Sequence, residues 1–466
     1  MIRKYFLLLG LALCLCGCPR AEKYDRPRLP VPTDWPQSAA IQTSEPTAPA
    51  ASGIKWREYY AEGTLQSVIE LALANNRDLR IATLNIEKAQ ALYRIQRGAL
   101  YPGVGVMFDG QEHRLPEKMS DDGTAKTVGQ YSVNLGTLSW ELDLFGRLRS
   151  LKSQALEQYL ATEQARSATQ ISLVAAVTNS YLALAADRDK LRLARATLDA
   201  QQVSYDLILR SRDSGMASDL DLRQAESQVE AARVDIARYT GLVALDENAL
   251  TLLASSPVPA PLLPSELGSD LLLKDISAGL TSEVLLNRPD ILTTEHQLKA
   301  AYANIGVARA AFFPRITLTA GGGTLSPELS SLFQAGTGTW SFAPQIIAPL
   351  FTGGSLRANF KAAQVDRDIA VADYEKAIQS AFREVSDALS LRARLMEQQQ
   401  SQQALVKALE EAYRLSEARY KAGIDSYLSV LVSQRAMYVA QQGLVSLRLA
   451  RLSNLVTLYK ALGGGA

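Results

Sequence analysis

The sequence predicts a mixed α and β membrane protein that is built from two internal repeats. Three observations support this fold class. The chain consists of two halves with similar sequences. Each half has a helical block far longer than usual. Each half also has two short segments in which apolar residues alternate with small or polar ones. A repeated chain builds a pseudo-symmetric architecture. We therefore expect two strands and two long helices from each half.

The repeat is visible as two similar stretches that begin at Asp78 and at Asp290, 212 positions apart. Further along, an offset of 208 places Leu148-Arg149 on Leu356-Arg357 and Gly215 on Gly423. Four prolines lie between the two halves. We place the domain boundaries by these features: a first repeat at 61–256, a Pro-rich linker at 257–264 and a second repeat at 265–466.

The composition excludes several classes of function. The 49 basic and 48 acidic residues balance, so the chain lacks the basic surface of a nucleic-acid-binding protein. The only histidines, His113 and His296, do not have the spacing of metal ligands. Residues 321–323 form a Gly triplet that lacks the following Lys and Ser or Thr of a phosphate-binding loop. We expect no enzymatic activity, no metal and no cofactor other than a covalent lipid.

The N-terminus carries a targeting signal. Basic Arg3-Lys4 precedes an apolar run, which predicts a secretory signal peptide at 1–17. The residues around Gly17-Cys18 resemble a bacterial lipoprotein signal, in which the Cys is acylated, for example with palmitate. Acyl chains stabilise anchoring by about 0.8 kcal/mol per buried CH₂. The alternative is an ordinary signal peptide that is cleaved nearby without lipidation and leaves a free cysteine thiol. Residues 18–60 are rich in proline and predict an extended tether.

Two segments without any Gly or Pro predict exceptionally long helices at 147–214 and 355–422. At 1.5 Å per residue each would reach about 100 Å, whereas the mean helix has about 11–12 residues. Turns at Gly215 and Gly423 connect them to further helices at about 218–254 and 425–462. No stretch after residue 20 is expected to cross a membrane as a helix.

Four strands are predicted at about 103–113, 128–140, 315–325 and 338–350. Their length suits tilted strands that cross a bilayer, and their alternation suits a barrel with lipid outside and water inside. The alternative is a β-sheet of a water-soluble protein with one solvent-exposed face. This alternative stays open because alternation in any one segment is a weak signal of a membrane strand. In the barrel, we expect lipid contact at Val106, Val133, Leu318 and Phe342 and lumen contact at Gly105, Asn134, Thr317 and Ser341.

Four strands are too few to close a membrane barrel, since the smallest barrels have eight. Backbone polar groups in lipid must all be paired, which excludes an open sheet edge. The sequence therefore predicts that two or more copies of the chain share one barrel.

Five motifs resemble those of the outer-membrane efflux channels of the TolC/OprM type, in their lipoprotein, NodT-like branch. They are WREYY at 56–60, NRDLR at 76–80, SWELDLFGR at 139–147, NRPDI at 287–291 and ARAAFFPR at 308–315. The resemblance covers essentially the whole mature chain.

The resemblance implies a homotrimer, in which three chains form a twelve-stranded barrel in the outer membrane and a twelve-helix barrel in the periplasm. It also implies two partners, a periplasmic adaptor protein and, through that adaptor, an inner-membrane pump. The channel would conduct drugs or other small toxic compounds passively to the exterior.

The resemblance further implies a gate at the periplasmic tip. The turns at Gly215 and Gly423 would form the tip that meets the adaptor. Tyr420 and Asp221 match residues that hold neighbouring helices together when the tip is shut.

The constriction departs from the family pattern. Ser429 and Val432 stand where the family has acidic residues, and Leu428 matches a position of an apolar ring. We expect an apolar gate formed by Leu428 and Val432, with Asp425 as a nearby charged alternative.

Two other classes stay open at the sequence level. A lipid-anchored periplasmic adaptor or scaffold would also have long helical hairpins, although the four alternating strands argue against it. A periplasmic hydrolase has no candidate site in this sequence.

Overall fold

The computed structural model describes residues 24–35, 54–268 and 281–465. Cys18, the signal peptide and most of the tether lie outside the described residues. The chain divides into two compact units, each assembled from distant parts of the sequence. The first unit combines Met1–Arg28, Asn85–Glu163 and Thr293–Tyr374, and the second combines Leu29–Leu84, Gln164–Leu292 and Glu375–Ala466.

Among the described residues, a short α-helix precedes the first repeat, which contains four α-helices and two strands. The helices flank the strands, as the sequence predicts. In chain order, the helices and strands are α1 (Trp56–Tyr59), α2 (Gly63–Asn75), α3 (Arg77–Gly98), β1 (Val104–Leu115), β2 (Lys126–Glu141), α4 (Arg147–Asp213) and α5 (Asp219–Ala254).

The second repeat follows the same plan from its own first helix onwards. The helices α4 and α7 have 67 residues each, so the two long elements are equal in length. The elements are α6 (Pro289–Ala310), β3 (Arg315–Ser326), β4 (Gly338–Ile347), α7 (Ser355–Lys421) and α8 (Tyr427–Ala461).

The four strands form one antiparallel sheet in the order β1-β2-β3-β4. The strands β2 and β3, which belong to different repeats, approach each other closely at Gly136 and Gly323. A Cβ atom on Gly136 would lie 2.2 Å from the carbonyl oxygen of Ala320, and one on Gly323 would lie 1.9 Å from that of Val133. These positions therefore require glycine.

Two predicted boundaries are wrong. The strand β4 ends at Ile347 rather than near residue 350. The predicted extended tether to residue 60 includes the short helix α1. Trp56 and Tyr59 of this helix are buried, so packing of aromatic side chains overrides the extended preference of the segment.

The helix α4 differs from expectation in one respect. Part of it is long and apolar enough to cross a membrane by length and composition, although no such helix was expected after residue 20. Of that stretch, 56% is buried inside the described structure. We interpret its apolar residues as packing residues, because burial against other helices already accounts for them.

Each unit has its own core. In the second unit, the ring of Tyr59 stacks on Tyr459 with centroids 3.9 Å apart, and Tyr60 meets Tyr59 edge-on at 5.0 Å. In the first unit, Ile305 and Ala308 pack against Ala363. These contacts fix α1 to α8 in one unit and α6 to α7 in the other.

Candidate functional site

The two helix turns at Gly215 and Gly423 have the same geometry. Both glycines are left-handed, with φ of 75° and 73°. Met216 N donates to Ser211 O at 2.8 Å, and Ile424 N donates to Arg419 O at 3.0 Å. This is the pattern of a Schellman helix end, which favours glycine at the left-handed position. The repeat therefore builds two equivalent hairpin turns, both in the second unit.

The charged residues beside the second turn are paired with each other. Arg419 Nε donates to Asp425 Oδ2 at 2.6 Å, and Arg419 Nη2 donates to Asp425 Oδ1 at 3.0 Å. The hydrogen bond from Arg419 lowers the pKa of the Asp425 carboxyl. Within this chain, the carboxylate of Asp425 is thus partnered across the turn.

Asp221 has a structural role in its own helix. Its carboxylate accepts hydrogen bonds from Ser218 N at 3.1 Å and Ser218 Oγ at 2.7 Å, while Asp221 N donates back to Ser218 Oγ at 3.2 Å. This capping box satisfies free amides at the start of α5. A bond from Asp221 to a neighbouring helix stays a prediction.

Tyr420 packs at the edge of an apolar cluster between the two hairpins. Its ring centroid lies 5.4 Å from that of Tyr427. Burial, and secondarily the charge of Asp221, raise the pKa of Tyr420. Tyr420 and Asp221 therefore lie near enough to influence each other, although the carboxylate bonds to Ser218.

Sequence reasoning missed Tyr427, which is the centre of this cluster. Its side chain is 5% exposed, and burial raises its pKa to about 12. The signal was present in the sequence, because Tyr427, Val430, Leu431 and Gln434 follow helical spacing and are all buried. The remaining buried members of the cluster are Ile208, Leu222 and Ala225.

The predicted constriction residues lie away from that buried face. Leu428 is 52% exposed and Val432 is 61% exposed, and their spacing of four places them on the same side of α8. Ser429 is half-buried. The two apolar side chains are therefore largely exposed within the chain, and their role as a gate stays a prediction.

The sheet register separates the two predicted strand surfaces. Val106 lies opposite Leu135, and Phe108 lies opposite Val133. Phe342 lies opposite Ala320 on the same side. The register places Val106, Val133, Leu318 and Phe342 on one face and Gly105, Asn134, Thr317 and Ser341 on the other. One face is apolar and the other is small or polar.

His296 pairs with a carboxylate. Its Nδ1 lies 2.7 Å from Glu157 Oε2, between α6 and α4 within the first unit. Across residues 24–35, 54–268 and 281–465, no three His, Cys, Asp or Glu side chains are grouped to hold a metal ion.

The family model described as "Outer membrane efflux protein" matches residues 68–256 and 280–464. Both matched segments coincide with the two repeats. The curated relatives include the "Antibiotic efflux pump outer membrane protein ArpC" and the "Toluene efflux pump outer membrane protein TtgC", both from Pseudomonas putida. Each is 48% identical to this chain over 466 residues, covering 100% of the chain and 96% of the relative.

A solved structure of the open state of the Neisseria gonorrhoeae MtrE outer membrane channel has the same fold. It is 36% identical, covers 96% of this chain and 98% of its own, and superimposes with a TM-score of 0.88. The predicted fold class of a mixed α and β membrane protein with four strands per chain is confirmed. The chain therefore belongs to the outer membrane efflux protein family and is an outer-membrane channel of an efflux system.

Proposed function

We propose that three copies of this chain form a channel that joins an inner-membrane pump, through a periplasmic adaptor, to the exterior. The observation that carries the proposal is the four-stranded sheet, whose outer strands β1 and β4 each have one edge unpaired among the described residues. Open edges are not stable in lipid. Pairing β1 of one copy with β4 of the next closes the sheet, and three copies give twelve strands.

The surface chemistry of the sheet supports a membrane location for these strands. Val106 is 72% exposed, Phe342 is 61% exposed and Trp340 is 81% exposed. Large apolar side chains on an exposed sheet face favour contact with lipid over contact with water. The opposite face, which is small or polar, would line the water-filled lumen.

Gel migration with and without heating tests the assembly. We expect the membrane-extracted protein to migrate as a trimer in SDS before boiling and as a monomer after it. A matched variant, Gly323→Val, adds a side chain where β2 and β3 nearly touch and should abolish the unboiled trimer. A lipid-anchored periplasmic scaffold would migrate as a monomer under both conditions, and that outcome would refute the barrel.

We also propose that the cargo is a set of small toxic compounds, including antibiotics and aromatic solvents. The names of the two P. putida relatives support both classes. Deletion of the gene should increase sensitivity to an antibiotic panel and to toluene, and expression from a plasmid should restore resistance. An unchanged sensitivity to both classes would contradict this cargo.

The proposed anchor is a lipid on Cys18, with the channel in the outer membrane and its helices in the periplasm. The sequence around Cys18 supports this anchor. The proposed channel is passive and needs no catalytic group or cofactor besides the lipid.

A further inference from the structure

The N-terminal segment of the described chain is bound to helix α6 within the first unit. Tyr24 Oη donates to Glu295 Oε1 at 3.0 Å. Arg26 Nη2 donates to Glu295 Oε1 at 2.9 Å and to Oε2 at 2.8 Å, and Arg26 Nε donates to Oε1 at 3.2 Å. Lys299 pairs with the same carboxylate at 3.1 Å. The Glu295 side chain is only 2% exposed, so two of these three partners of a buried carboxylate come from the N-terminal segment.

The ring of Tyr24 extends this contact along α6. It meets the ring of Tyr302 edge-on, with centroids 5.7 Å apart, and the Lys299 ammonium lies 5.1 Å from its centroid. Glu295, Lys299 and Tyr302 are four and three positions apart and therefore form one stripe on the helix. Burial opposes the charge of Glu295, but the hydrogen bonds from Arg26, Lys299 and Tyr24 outweigh it and lower the pKa of its carboxyl. We call the contacts of Tyr24 and Arg26 with this stripe the N-terminal clasp.

The matching helix of the first repeat carries different residues at these positions. The offset of 212 aligns the stripe with Thr83, Glu87 and Gln90 of α3. The Thr83 hydroxyl donates within its own helix, to Leu79 O at 2.9 Å. The two halves share one plan, but the chain has a single N-terminus. The stripe is therefore a specific adaptation of α6 to the N-terminal segment.

The residues that follow the clasp are held separately within the second unit. Ser282 N donates to Thr33 O at 2.8 Å, and Ser282 Oγ donates to Pro32 O at 2.8 Å. The ring of Trp35 stacks on that of Phe382 with centroids 5.0 Å apart. If the clasp opened, Pro32 would therefore be the first described residue after the clasp that holds the segment in place.

The clasp shortens the chain that connects the folded protein to the lipid. Tyr24 follows Cys18 by six positions, and Pro32 follows it by 14. Whatever its path, the chain from Cys18 can span at most about 20 Å to Tyr24 and about 50 Å to Pro32. Glu295 lies 15 residues before the end of α6 at Ala310, which is a rise of about 22 Å. The reach to Tyr24 therefore matches the length of α6 between the clasp and the strand that follows, whereas the reach to Pro32 exceeds that length about twofold.

We propose that the N-terminal clasp fixes the depth of the acylated Cys18, with a chain length that just reaches the bilayer edge at the start of β3. This proposal rests on the lipid anchor and the membrane strands of the proposed function. A tether that matches the distance it spans gives the highest local concentration of the attached group, which falls as the tether lengthens. The clasp thereby keeps the lipid beside its own barrel.

A matched length has a consequence that a loose tether lacks. Shortening the chain before Tyr24 must set lipid insertion against the clasp, because the chain can no longer reach both. Arg26 of the clasp is 48% exposed, and acyl chains hold a bilayer more firmly than such an ion pair holds a helix. The clasp should therefore open while the lipid stays in the membrane.

The test shortens this chain and measures clasp opening with trypsin. Deletion of residues 21–23 reduces the reach from Cys18 to Tyr24 to about 10 Å and leaves the two residues after Cys18 unchanged. Isolated outer membranes are digested, and mass spectrometry follows cleavage after Arg28, which is exposed. Cleavage requires a freed segment around the cut bond, so its rate reports the open fraction of the clasp. The open-clasp variant, Tyr24→Ala with Arg26→Gln, gives the rate for a clasp that is always open.

The deletion variant should be cleaved at the rate of the open-clasp variant. The same deletion combined with Cys18→Ser has no lipid to oppose the clasp and should be cleaved at the wild-type rate. Insertion of Gly-Ser-Gly after residue 20 is the matched control, because it changes the same segment without shortening it. The insertion should also keep the wild-type rate.

A wild-type rate in the acylated deletion variant would overturn the length matching. Fast cleavage that persists with Cys18→Ser would overturn the role of the lipid. Equal rates for the wild type and the open-clasp variant would overturn the clasp as a fixed contact. Palmitate labelling in parallel separates the two proposals. Absence of label on the wild type would refute the anchor and the clasp's role together, whereas label combined with any of the three outcomes above would refute the role of the clasp alone.

Discussion

Single residues at the hairpin turns make contacts within the chain that leave their predicted gate roles untested. Tyr420 packs against Tyr427, and Asp221 caps its own helix. Leu428 and Val432 remain exposed on α8. The gate that we predict would therefore depend on two separable features, an apolar constriction and a packed junction between hairpins.

The first prediction concerns the constriction. If Leu428 and Val432 face the pore, three copies give two apolar rings that block ions by dewetting. Leu428→Ala combined with Val432→Ala should raise single-channel conductance in a planar bilayer. Val234→Ala, an exposed apolar truncation on α5, serves as the control and should leave conductance unchanged. If conductance stays at the wild-type value in the double variant, the constriction lies elsewhere.

The second prediction separates capping from gating. Tyr420→Phe with Asp221→Ala should raise conductance independently of the apolar rings. Asp221→Ala also removes one half of the capping box with Ser218. Ser218→Ala removes the other half, the N-cap hydroxyl, at a cost of about 1 kcal/mol, and leaves the carboxylate. If Ser218→Ala alone reproduces the conductance of the Tyr420 and Asp221 variant, the effect comes from the cap and the gating role is refuted.

The third prediction concerns pH. Asp246 on α5 is partly buried near Asp187, whose carboxylate pairs with Lys190 at 3.1 Å. Burial, and secondarily the charge of Asp187, raise the pKa of Asp246 to about 6. The folded state thus binds this proton more tightly than the unfolded state, so this group costs stability as pH rises from about 4 to above 6.

Asp246→Asn should therefore raise the melting temperature above that of the wild type at pH 7.5, which is roughly one to two pH units above that pKa. Near pH 4, most of this difference in melting temperature should disappear. Thermal unfolding, followed by circular dichroism, measures the melting temperatures at pH 7.5 and near pH 4. Asp199→Asn, on an exposed position of α4, is the control and should show no such dependence. An equal gain at both pH values would contradict the assignment to Asp246.

At the scale of elements, the alternation within each strand becomes a physical surface only through the register of the sheet. The register shift between Thr137 and Trp140, where Ser139 has a left-handed φ of 50°, places Trp140 opposite Leu318. A β-bulge of this kind re-aims side chains after it. Without the bulge, Ser139 would lie opposite Leu318 and Trp140 would lie on the other face of β2.

The fourth prediction tests which face meets lipid. Phe342→Arg should destabilise the barrel by about 2–4 kcal/mol near mid-membrane, whereas Ser341→Arg should cost much less. The two positions are adjacent on β4, so the comparison controls for depth. Urea unfolding of the protein in lipid vesicles measures the difference. Equal destabilisation at both positions would mean that the membrane assignment is wrong.

At the scale of the whole molecule, an apolar sheet face and a lipid at the N-terminus would both hold the channel in its membrane. These contributions are separable because they lie in different parts of the chain. The apolar face belongs to four strands of one unit. The anchor would depend on Cys18 alone.

The fifth prediction concerns this anchor. Cys18→Ser should abolish acylation, and labelling of cells with radioactive palmitate would measure it. The variant should still enter the outer membrane, because the strands supply most of the membrane contact. Cys16→Ser is the control and should retain the label. Label that persists on Cys18→Ser would place the lipid elsewhere.

The sequence by itself determined the repeat, the two long helices and the number of strands. Each of these depends on local properties: the spacing of glycine and proline, the period of apolar residues and the length of uninterrupted segments. The left-handed glycines at Gly215 and Gly423 were foreseeable for the same reason, since a long helix must end where its backbone can reverse.

Tertiary structure decided which helices and strands meet. The close approach of Gly136 to Ala320 and of Gly323 to Val133, and the stacking of Tyr59 on Tyr459, depend on those meetings, and no local pattern specifies them.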